Sequence, residues 1–159
     1  MRHQTETFSI MAAVEEEDEI LAEYFLRMWH DIGVSQEEII DTALHDTKTF
    51  IRRARLDLDF MGFIARSNGF TVGSVCCQKL TCAYPMVTTN ILGKRGYVWG
   101  VYVEPGFRQR GVARELVGQC INHLISVGCE EVYLHASHHG RSLYERIGFQ
   151  TTNEMSIKK

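Results

Sequence analysis

Apolar residues recur at intervals of three and four along two stretches near the start of the chain. The first stretch contains Ile20, Leu21, Tyr24, Phe25, Met28, Trp29 and Ile32. This spacing predicts a helix that follows the acidic run Glu15–Asp18, where acids are favoured, and ends at Gly33. Ser35 and Glu38 form a capping-box pattern, which predicts that a second helix starts there. Its apolar face would be Ile39, Ile40, Ala43, Leu44, Phe50 and Ile51.

Shorter patterns predict the remaining elements. Two apolar runs flank Asn68-Gly69, a dipeptide typical of two-residue hairpin turns. Predicted strands cover Phe8–Val14, Phe60–Arg66, Phe70–Leu80, Tyr97–Val103, Glu131–Ala136 and Phe149–Ile157. Two further helices are predicted over Arg110–Val127 and Gly140–Ile147. Between the third and fourth strands, Thr81–Arg95 holds Pro85 and Gly93 and is predicted to be mostly loop.

The predicted order is β-α-α-β-β-β-α-β-α-β. Within it, residues Tyr97–Ala136 form a strand, a helix and a strand, a unit that gives a parallel pair with a right-handed crossover. The chain contains no internal repeat, linker or low-complexity tract. We therefore expect residues 1–159 to form a single domain.

Composition and charge narrow the class of protein. Hydrophobic residues make up 45% of the 159 residues, which is typical of a globular domain. The net charge of -3 argues against nucleic-acid or anionic-membrane partners, which select basic surfaces. The polar N-terminus is not followed by a signal-peptide core, and no stretch approaches the roughly 20 apolar residues of a membrane span. We expect a soluble cytoplasmic protein.

The cysteines and histidines do not form a metal-binding pattern. The five cysteines, Cys76, Cys77, Cys82, Cys120 and Cys129, are odd in number and include no C-x-x-C pair. We expect reduced, mostly buried thiols, with Cys76 and Cys77 on opposite faces of a strand. His135, His138 and His139 are close in sequence, but no neighbouring carboxylate or cysteine completes a ligand set. No metal is expected.

The segment most suited to chemistry is Arg108-Gln109-Arg110-Gly111-Val112-Ala113, which lies between a predicted strand and a long helix. The first amides of a helix have no intrahelical partner, and together with the helix dipole they favour an anion such as phosphate. A glycine lets the backbone approach such a ligand closely. Neither the P-loop nor the dinucleotide fingerprint is present in the sequence.

Here the chain resembles the GNAT superfamily of N-acetyltransferases. That family marks its coenzyme A pyrophosphate loop with [RQ]-x-x-G-x-[GA], and Arg108, Gly111 and Ala113 fill the three defined positions. The preceding run Val101–Pro105 is similar to the family's approach to this loop. About 30 residues later, Ser142–Phe149 resembles its second signature, L-Y-x-x-x-G-F. The resemblance covers nearly the whole chain.

The resemblance implies an α+β fold with a mixed, mostly antiparallel central sheet flanked by helices, and with a splayed strand pair that admits coenzyme A. It implies acetyl-CoA as co-substrate. The backbone of Val101, Tyr102 and Val103 would contact the pantetheine arm, and the Val101 N–H would donate to the thioester oxygen. The residues implied to bind the pyrophosphate are Arg108, Gln109, Arg110, Gly111, Val112, Ala113 and Arg114.

Two further residues follow from the same resemblance. Tyr144 would protonate the leaving thiolate, a task that suits a phenol because its ordinary pKa is near 10. Ser137 lies where the family often has an asparagine that contacts the cofactor, and the difference leaves its role open. A packing role for Tyr144 is the alternative, and the loop arginines are equally well explained as solvated surface charges.

The acceptor and the general base stay open at this stage. We expect the acceptor to be a primary amine on a small molecule, whose nitrogen attacks the thioester directly. Whether the protein forms a homodimer is left open. Candidate bases are His30, Asp31, Glu104 and His135, and a relay through water is an alternative. The alternatives are an acyl-CoA-binding regulatory module without turnover, and an enzyme that acetylates a protein N-terminus or lysine. Residues 31–35, 81–95 and 150–154 are expected to shape the acceptor pocket.

Overall fold

The computed structural model describes residues 7–81, 84–85, 87 and 94–159. Its sheet contains five strands in chain order. They are Ser9–Ala12 (β1), Met61–Ser67 (β2), Phe70–Lys79 (β3), Arg95–Val103 (β4) and Glu131–Tyr133 (β5). Strands β1 to β4 pair antiparallel, and β4 pairs parallel with β5. The helices are Asp18–Asp31 (α1), Ala43–Asp57 (α2), Val112–Ser126 (α3) and Arg141–Ile147 (α4).

This architecture confirms the predicted fold class of a mixed, mostly antiparallel sheet flanked by helices. The hairpin between β2 and β3 is the one that Asn68-Gly69 predicts. Ser67 pairs with Phe70, and the two residues between them have φ of 50° and 81°. A type I′ turn needs positive φ at both central positions, which Asn and Gly tolerate best.

The sheet has an apolar cluster on each face, because side chains alternate along a strand. On one face α3 packs against the sheet, with Leu116 and Leu124 fully buried beside Val75 and Cys77. On the other face α1 and α2 bury Leu21, Ile51, Ile64 and Cys76, among others. Cys76 and Cys77 therefore lie on opposite faces, as predicted. Burial of the side chains in the two clusters stabilises the fold by about 25 cal/mol per Å² of apolar surface.

The predicted start of the second helix is wrong. The Ser35–Glu38 capping box does form, with the Ser35 N–H donating to the Glu38 carboxylate at 2.9 Å. It closes only a short 3-10 turn, Gln36–Glu38, after which Ile39 is extended and α2 starts at Ala43. The β-branched pair Ile39-Ile40 disfavours helix continuation, and Thr42 follows as a residue type that favours helix starts.

The predicted last strand over Phe149–Ile157 is also wrong. Residues 148–159 are all described and form no strand, and Met155 and Ile157 are almost fully exposed. A strand is stabilised by hydrogen bonds to a neighbouring strand and by side-chain burial. Within the described residues this segment has no such neighbour, and alternation in the sequence cannot supply one.

Candidate active site

A cleft opens where β4 and β5 separate. The two strands are paired only through Arg95–Glu131, Gly96–Val132 and Tyr97–Tyr133. Beyond these pairs the strands splay and leave a cleft of about 980 Å³. It is bordered by α1, α2, the second half of β4 and the segment that leads from β5 into α4. This volume is at the upper end of the range for small-molecule and cofactor sites.

A β-bulge in β4 exposes backbone inside this cleft. Tyr102 pairs with Ser74 and Trp99 pairs with Cys76, so Val75 faces two residues of β4, Gly100 and Val101. Gly100 has a φ of 65°, a conformation that suits glycine. A bulge leaves a backbone group without a ladder partner. The strand therefore offers backbone groups to the cleft next to Val101, one of the three predicted pantetheine-binding residues, all of which line the cleft.

The loop before α3 has the backbone shape of an anion site. Gln109 and Gly111 both have left-handed backbone, with φ of 59° and 86°. The first hydrogen bond of α3 runs from the Glu115 N–H to the Gly111 carbonyl at 3.0 Å, so the preceding amides of the helix start are available to a ligand. Such a turn at a helix N-terminus forms a concave, partly positive surface.

The side chains of Arg108 and Arg110 in this loop contact other parts of the protein. The Arg108 guanidinium donates to the Asp31 carboxylate at 2.8 Å and to the Val103 carbonyl at 2.9 Å, so it ties the loop to α1 and β4. The Arg110 guanidinium lies over the Phe107 ring, 5.1 Å from its centre. Arg108 and Ala113 line the cleft, whereas the other predicted pyrophosphate residues lie outside its lining: Gln109, Arg110, Gly111, Val112 and Arg114.

Tyr144 and Ser137 face the same cleft from the α4 side. The Tyr144 ring makes an edge contact with Phe149 at 6.0 Å between centres, and burial raises the pKa of its phenol. Gly140 has no side chain where a Cβ would lie 2.9 Å from this ring, so the glycine makes room for the tyrosine. The Ser137 hydroxyl accepts a hydrogen bond from the Gly140 N–H at 3.1 Å, which helps to close the turn that leads into α4, whose N-cap is Gly140.

Comparison with known proteins bears on what this cleft does. The model of the acetyltransferase (GNAT) family matches residues 14–149. The chain belongs to this family. Membership confirms the resemblance seen in the sequence and the class of enzyme it implies, an acyltransferase that uses acetyl-CoA. The match includes both the Arg108–Ala113 loop and Tyr144.

Individual relatives are more distant. The chain is 36% identical to N-alpha-acetyltransferase MAK3 of Arabidopsis thaliana over 90 residues, which cover 55% of this chain and 43% of that protein. It is 26% identical to the acetyltransferase ECA0875 of Pectobacterium atrosepticum, over 84% of this chain and 78% of the relative. The fold matches that of a predicted acetyltransferase from Clostridium acetobutylicum solved with acetyl-CoA, with a TM-score of 0.82, 24% identity and 96% of both chains covered.

The structure distinguishes the four candidate bases of this GNAT-family chain by their positions and their partners. His30 and Glu104 lie outside the cleft lining. The ring of His30 contacts the Val34 carbonyl, and Glu104 pairs with Arg27 at 2.5 Å. Asp31 lines the cleft but is paired with Arg108. His135 lines the cleft with no cationic neighbour among the described ion pairs.

His135 has a partner that the sequence did not reveal. Its Nδ1 is hydrogen-bonded to the Tyr97 hydroxyl, and its Nε2 faces the Glu154 carboxylate at 4.0 Å. Tyr97 and Tyr133 form the last residue pair before the strands part, so the Tyr97–His135 pair lies where the cleft begins. The sequence feature that could have revealed this contact is the predicted parallel pairing of the two strands, because it places them side by side at the start of the cleft.

Three further features bear on function: the cysteines, clusters of metal-binding residues and membrane-spanning helices. Cys76, Cys77, Cys120 and Cys129 are free and buried, and Cys82 is outside the described residues. Burial raises the pKa of the Cys76 and Cys120 thiols, which opposes the thiolate form needed for nucleophilic attack. In the described part of the chain no cluster of three or more His, Cys, Asp or Glu could hold a metal ion. The described helices include none long and apolar enough to cross a membrane.

Proposed function

We propose that this chain transfers an acetyl group from acetyl-CoA to the primary amine of a small molecule, by direct attack of the amine on the thioester. The observation that carries the proposal is the meeting of three features at one cleft. The bulged backbone of β4 and Tyr144 line the space between the splayed strands, and the turn before α3 adjoins this space through Arg108 and Ala113, which also line it. The single-domain organisation of residues 1–159 stays a prediction.

The geometry supports particular binding roles. The amides at the start of α3 suit the pyrophosphate, and the edge of β4 at residues 101–103 suits the amide-containing pantetheine arm. Since the Arg108 side chain is engaged by Asp31 and Val103, we propose that it shapes the loop and that backbone amides hold the phosphate. The Val101 N–H would then donate to the thioester oxygen as that oxygen gains negative charge.

Two proton transfers complete the reaction. As the bond between carbon and sulfur breaks, the Tyr144 hydroxyl would donate its proton to the leaving thiolate. On the amine side, we propose that the Tyr97 oxygen accepts the proton of the attacking amine and passes its own to His135 Nδ1. The resulting imidazolium would face the Glu154 carboxylate, which favours its positive charge. After product release, His135 gives its added proton to solvent, and the Tyr144 oxygen takes up a proton from solvent.

Acetyl-CoA is expected to raise the melting temperature of the protein by roughly 5–10 °C. A ligand at 100 times its dissociation constant adds about 2.7 kcal/mol to the free energy of unfolding, which corresponds to such a shift for a domain of this size. Differential scanning fluorimetry measures it. Coenzyme A should act similarly, and an added nicotinamide dinucleotide should not. No shift with saturating acetyl-CoA would contradict the proposal.

His135→Gln is expected to lower kcat by about 10- to 100-fold, because glutamine cannot take up the proton that the relay delivers to Nδ1. Steady-state kinetics with an active amine acceptor measure this loss. The affinity for acetyl-CoA should change little, because the relay acts on the amine.

Two variants test whether the effect belongs to the relay. Tyr97→Phe should lower kcat to a similar degree, because it removes the atom that connects the amine to His135. His30→Gln changes a histidine outside the cleft lining and should leave kcat as in the wild type. An unchanged kcat in His135→Gln would exclude the relay but not the transferase.

A protein N-terminus is the second candidate acceptor, and one observation favours it. The relative MAK3 is named an N-alpha-acetyltransferase, although the matched segment covers only 43% of that protein. An enzyme of this kind needs an open groove, whereas the cleft here is bordered by two helices and two strand segments. The regulatory alternative, binding without turnover, is opposed by the presence of Tyr144 in the cleft.

A further inference from the structure

Four aromatic side chains from three elements border the part of the cleft formed by α1, α2 and β4. They are Phe25 and Trp29 of α1, Phe50 of α2 and Trp99 of β4, and all line the cleft. We call this group the aromatic wall. The ring centres of Phe25 and Phe50 lie 4.9 Å and 5.6 Å from that of Trp99, and Phe25 and Trp29 are 6.0 Å apart.

Part of the aromatic wall is not covered by the protein. Trp29 and Phe50 are 38% and 48% exposed, whereas Phe60, which packs on another side of Trp99, is 4% exposed. The packing of the protein therefore buries Phe60 but leaves apolar surface of Trp29 and Phe50 open to the cleft. Contiguous exposed apolar surface inside a cleft is typical of a ligand-binding site.

The aromatic wall lies next to the proposed reaction point. Trp99 immediately precedes the bulge at Gly100 and Val101, where the thioester oxygen is proposed to bind. The Trp99 indole N–H donates to the side-chain amide oxygen of Gln78 at 3.0 Å, and Gln78 is buried. This bond fixes the indole and satisfies its polar group, so the ring presents apolar surface to a molecule approaching the thioester.

The charges of the cleft argue against a polycationic acceptor. Apart from histidines, the charged side chains among the described lining residues are Asp31, Asp46 and Arg108. Asp31 is already paired with Arg108, which leaves Asp46, an acceptor for the Thr42 hydroxyl at 2.7 Å. A molecule with several ammonium groups needs several carboxylates to replace its hydration, and the described lining does not offer them.

We infer that the acceptor is a primary amine attached to an aromatic body, whose ring packs against Trp29, Phe50 and Trp99. This inference rests on the proposed function, since it assigns the second substrate of the same reaction. Aromatic rings pair favourably edge-to-face at centre distances of 4.5–7 Å, and the open sides of Trp29 and Phe50 can provide such contacts. The two-carbon arm of an arylethylamine would let the nitrogen extend from the wall towards Val101.

The inference is tested by comparing 2-phenylethylamine with ethanolamine, which has the same aminoethyl arm and a hydroxyl in place of the ring. With acetyl-CoA as donor, kcat/KM for phenylethylamine should be roughly 10- to 100-fold higher, the effect expected from burying a phenyl group. Spermidine and a decapeptide with a free N-terminus should be poor acceptors. Equal or higher kcat/KM for any of these three would overturn the inference.

A variant pair assigns the preference to the aromatic wall. Phe50→Ala should raise the KM for phenylethylamine by about tenfold and change kcat/KM for ethanolamine much less. Leu56→Ala is the matched control, because Leu56 is an apolar residue on the same helix that is 79% exposed and lies outside the cleft lining. An equal effect of Phe50→Ala on both amines would show that the wall does not select the ring.

Tryptophan fluorescence gives a reading that needs no turnover. The only tryptophans of the chain, Trp29 and Trp99, both lie in the wall. In the presence of coenzyme A, phenylethylamine should cause a saturable change, with an apparent Kd about tenfold weaker in Phe50→Ala. No saturable change would overturn the inference. Acetyl-CoA binding with transfer only to polar amines would overturn it but leave the proposed function intact. Amine binding without any response to acetyl-CoA would overturn the proposed function, and with it the role of the amine as acceptor.

Discussion

Tyr144→Phe is expected to lower kcat by about 100-fold or more while leaving the affinity for acetyl-CoA nearly unchanged. The substitution keeps the ring, its contact with Phe149 and the space that Gly140 leaves for it. It removes only the hydroxyl group, whose proton the proposed mechanism gives to the leaving thiolate. Steady-state kinetics with an active acceptor and a binding titration with acetyl-CoA measure the two quantities.

The stability of the Tyr144→Phe protein should be close to that of the wild type. Among the hydrogen bonds of the described residues, none uses the Tyr144 hydroxyl, so its removal leaves no buried partner unsatisfied. Burial raises the pKa of this phenol, so it keeps its proton at neutral pH, as a general acid must. The ionisation of Tyr144 should therefore limit activity only in strongly alkaline solution.

Tyr133→Phe is the matched control. Tyr133 donates to Glu131 at 2.6 Å and lies outside the cleft lining, so the loss of its hydroxyl should not affect turnover. If Tyr144 only packs, Tyr144→Phe should also retain normal turnover, and the proton would have to come from water. If the protein is a regulatory module, neither the wild type nor the variants should turn over, although all should bind acetyl-CoA.

Gly111→Asp is expected to weaken acetyl-CoA binding by at least about 100-fold in a protein that still folds. The new carboxylate would lie at the start of α3, where the amides and the helix dipole favour an anion, and it would repel the pyrophosphate. A Cβ at this glycine has no atom within 4 Å, so the side chain can be accommodated. The left-handed backbone, with φ of 86°, costs roughly 1–2 kcal/mol for a residue with a Cβ.

Gly111→Asn separates charge from backbone strain. Asparagine has nearly the same shape as aspartate and meets the same left-handed backbone, but it carries no charge. Isothermal titration of both variants should show a much smaller loss of affinity for Asn, with circular dichroism as the check on folding. Equal affinity of the wild type and a folded Gly111→Asp protein would place the phosphate site elsewhere.

Local sequence determined the features that depend on a few neighbouring residues. The turn at Asn68-Gly69 and the start of α3 at Gly111 adopt positive φ at residues that tolerate it. The Arg108–Ala113 motif and the position of Tyr144 in a short helix could be read directly, because such turns and helix starts depend on local backbone preferences. Hydrophobic spacing likewise predicted all four helices, although it placed the start of α2 too early.

The tertiary structure decided which residues meet. Tyr97 and His135 are 38 positions apart, and Arg108 and Asp31 are 77 apart, so neither pair could be read from spacing. The aromatic wall combines residues of α1, α2 and β4, which separately look like ordinary core positions. Periodicity shows which face of an element is apolar, but only the packed fold shows what lies opposite it. For the same reason the alternating segment Phe149–Ile157 predicted a strand that does not form, because a strand depends on a neighbour that no local pattern can provide.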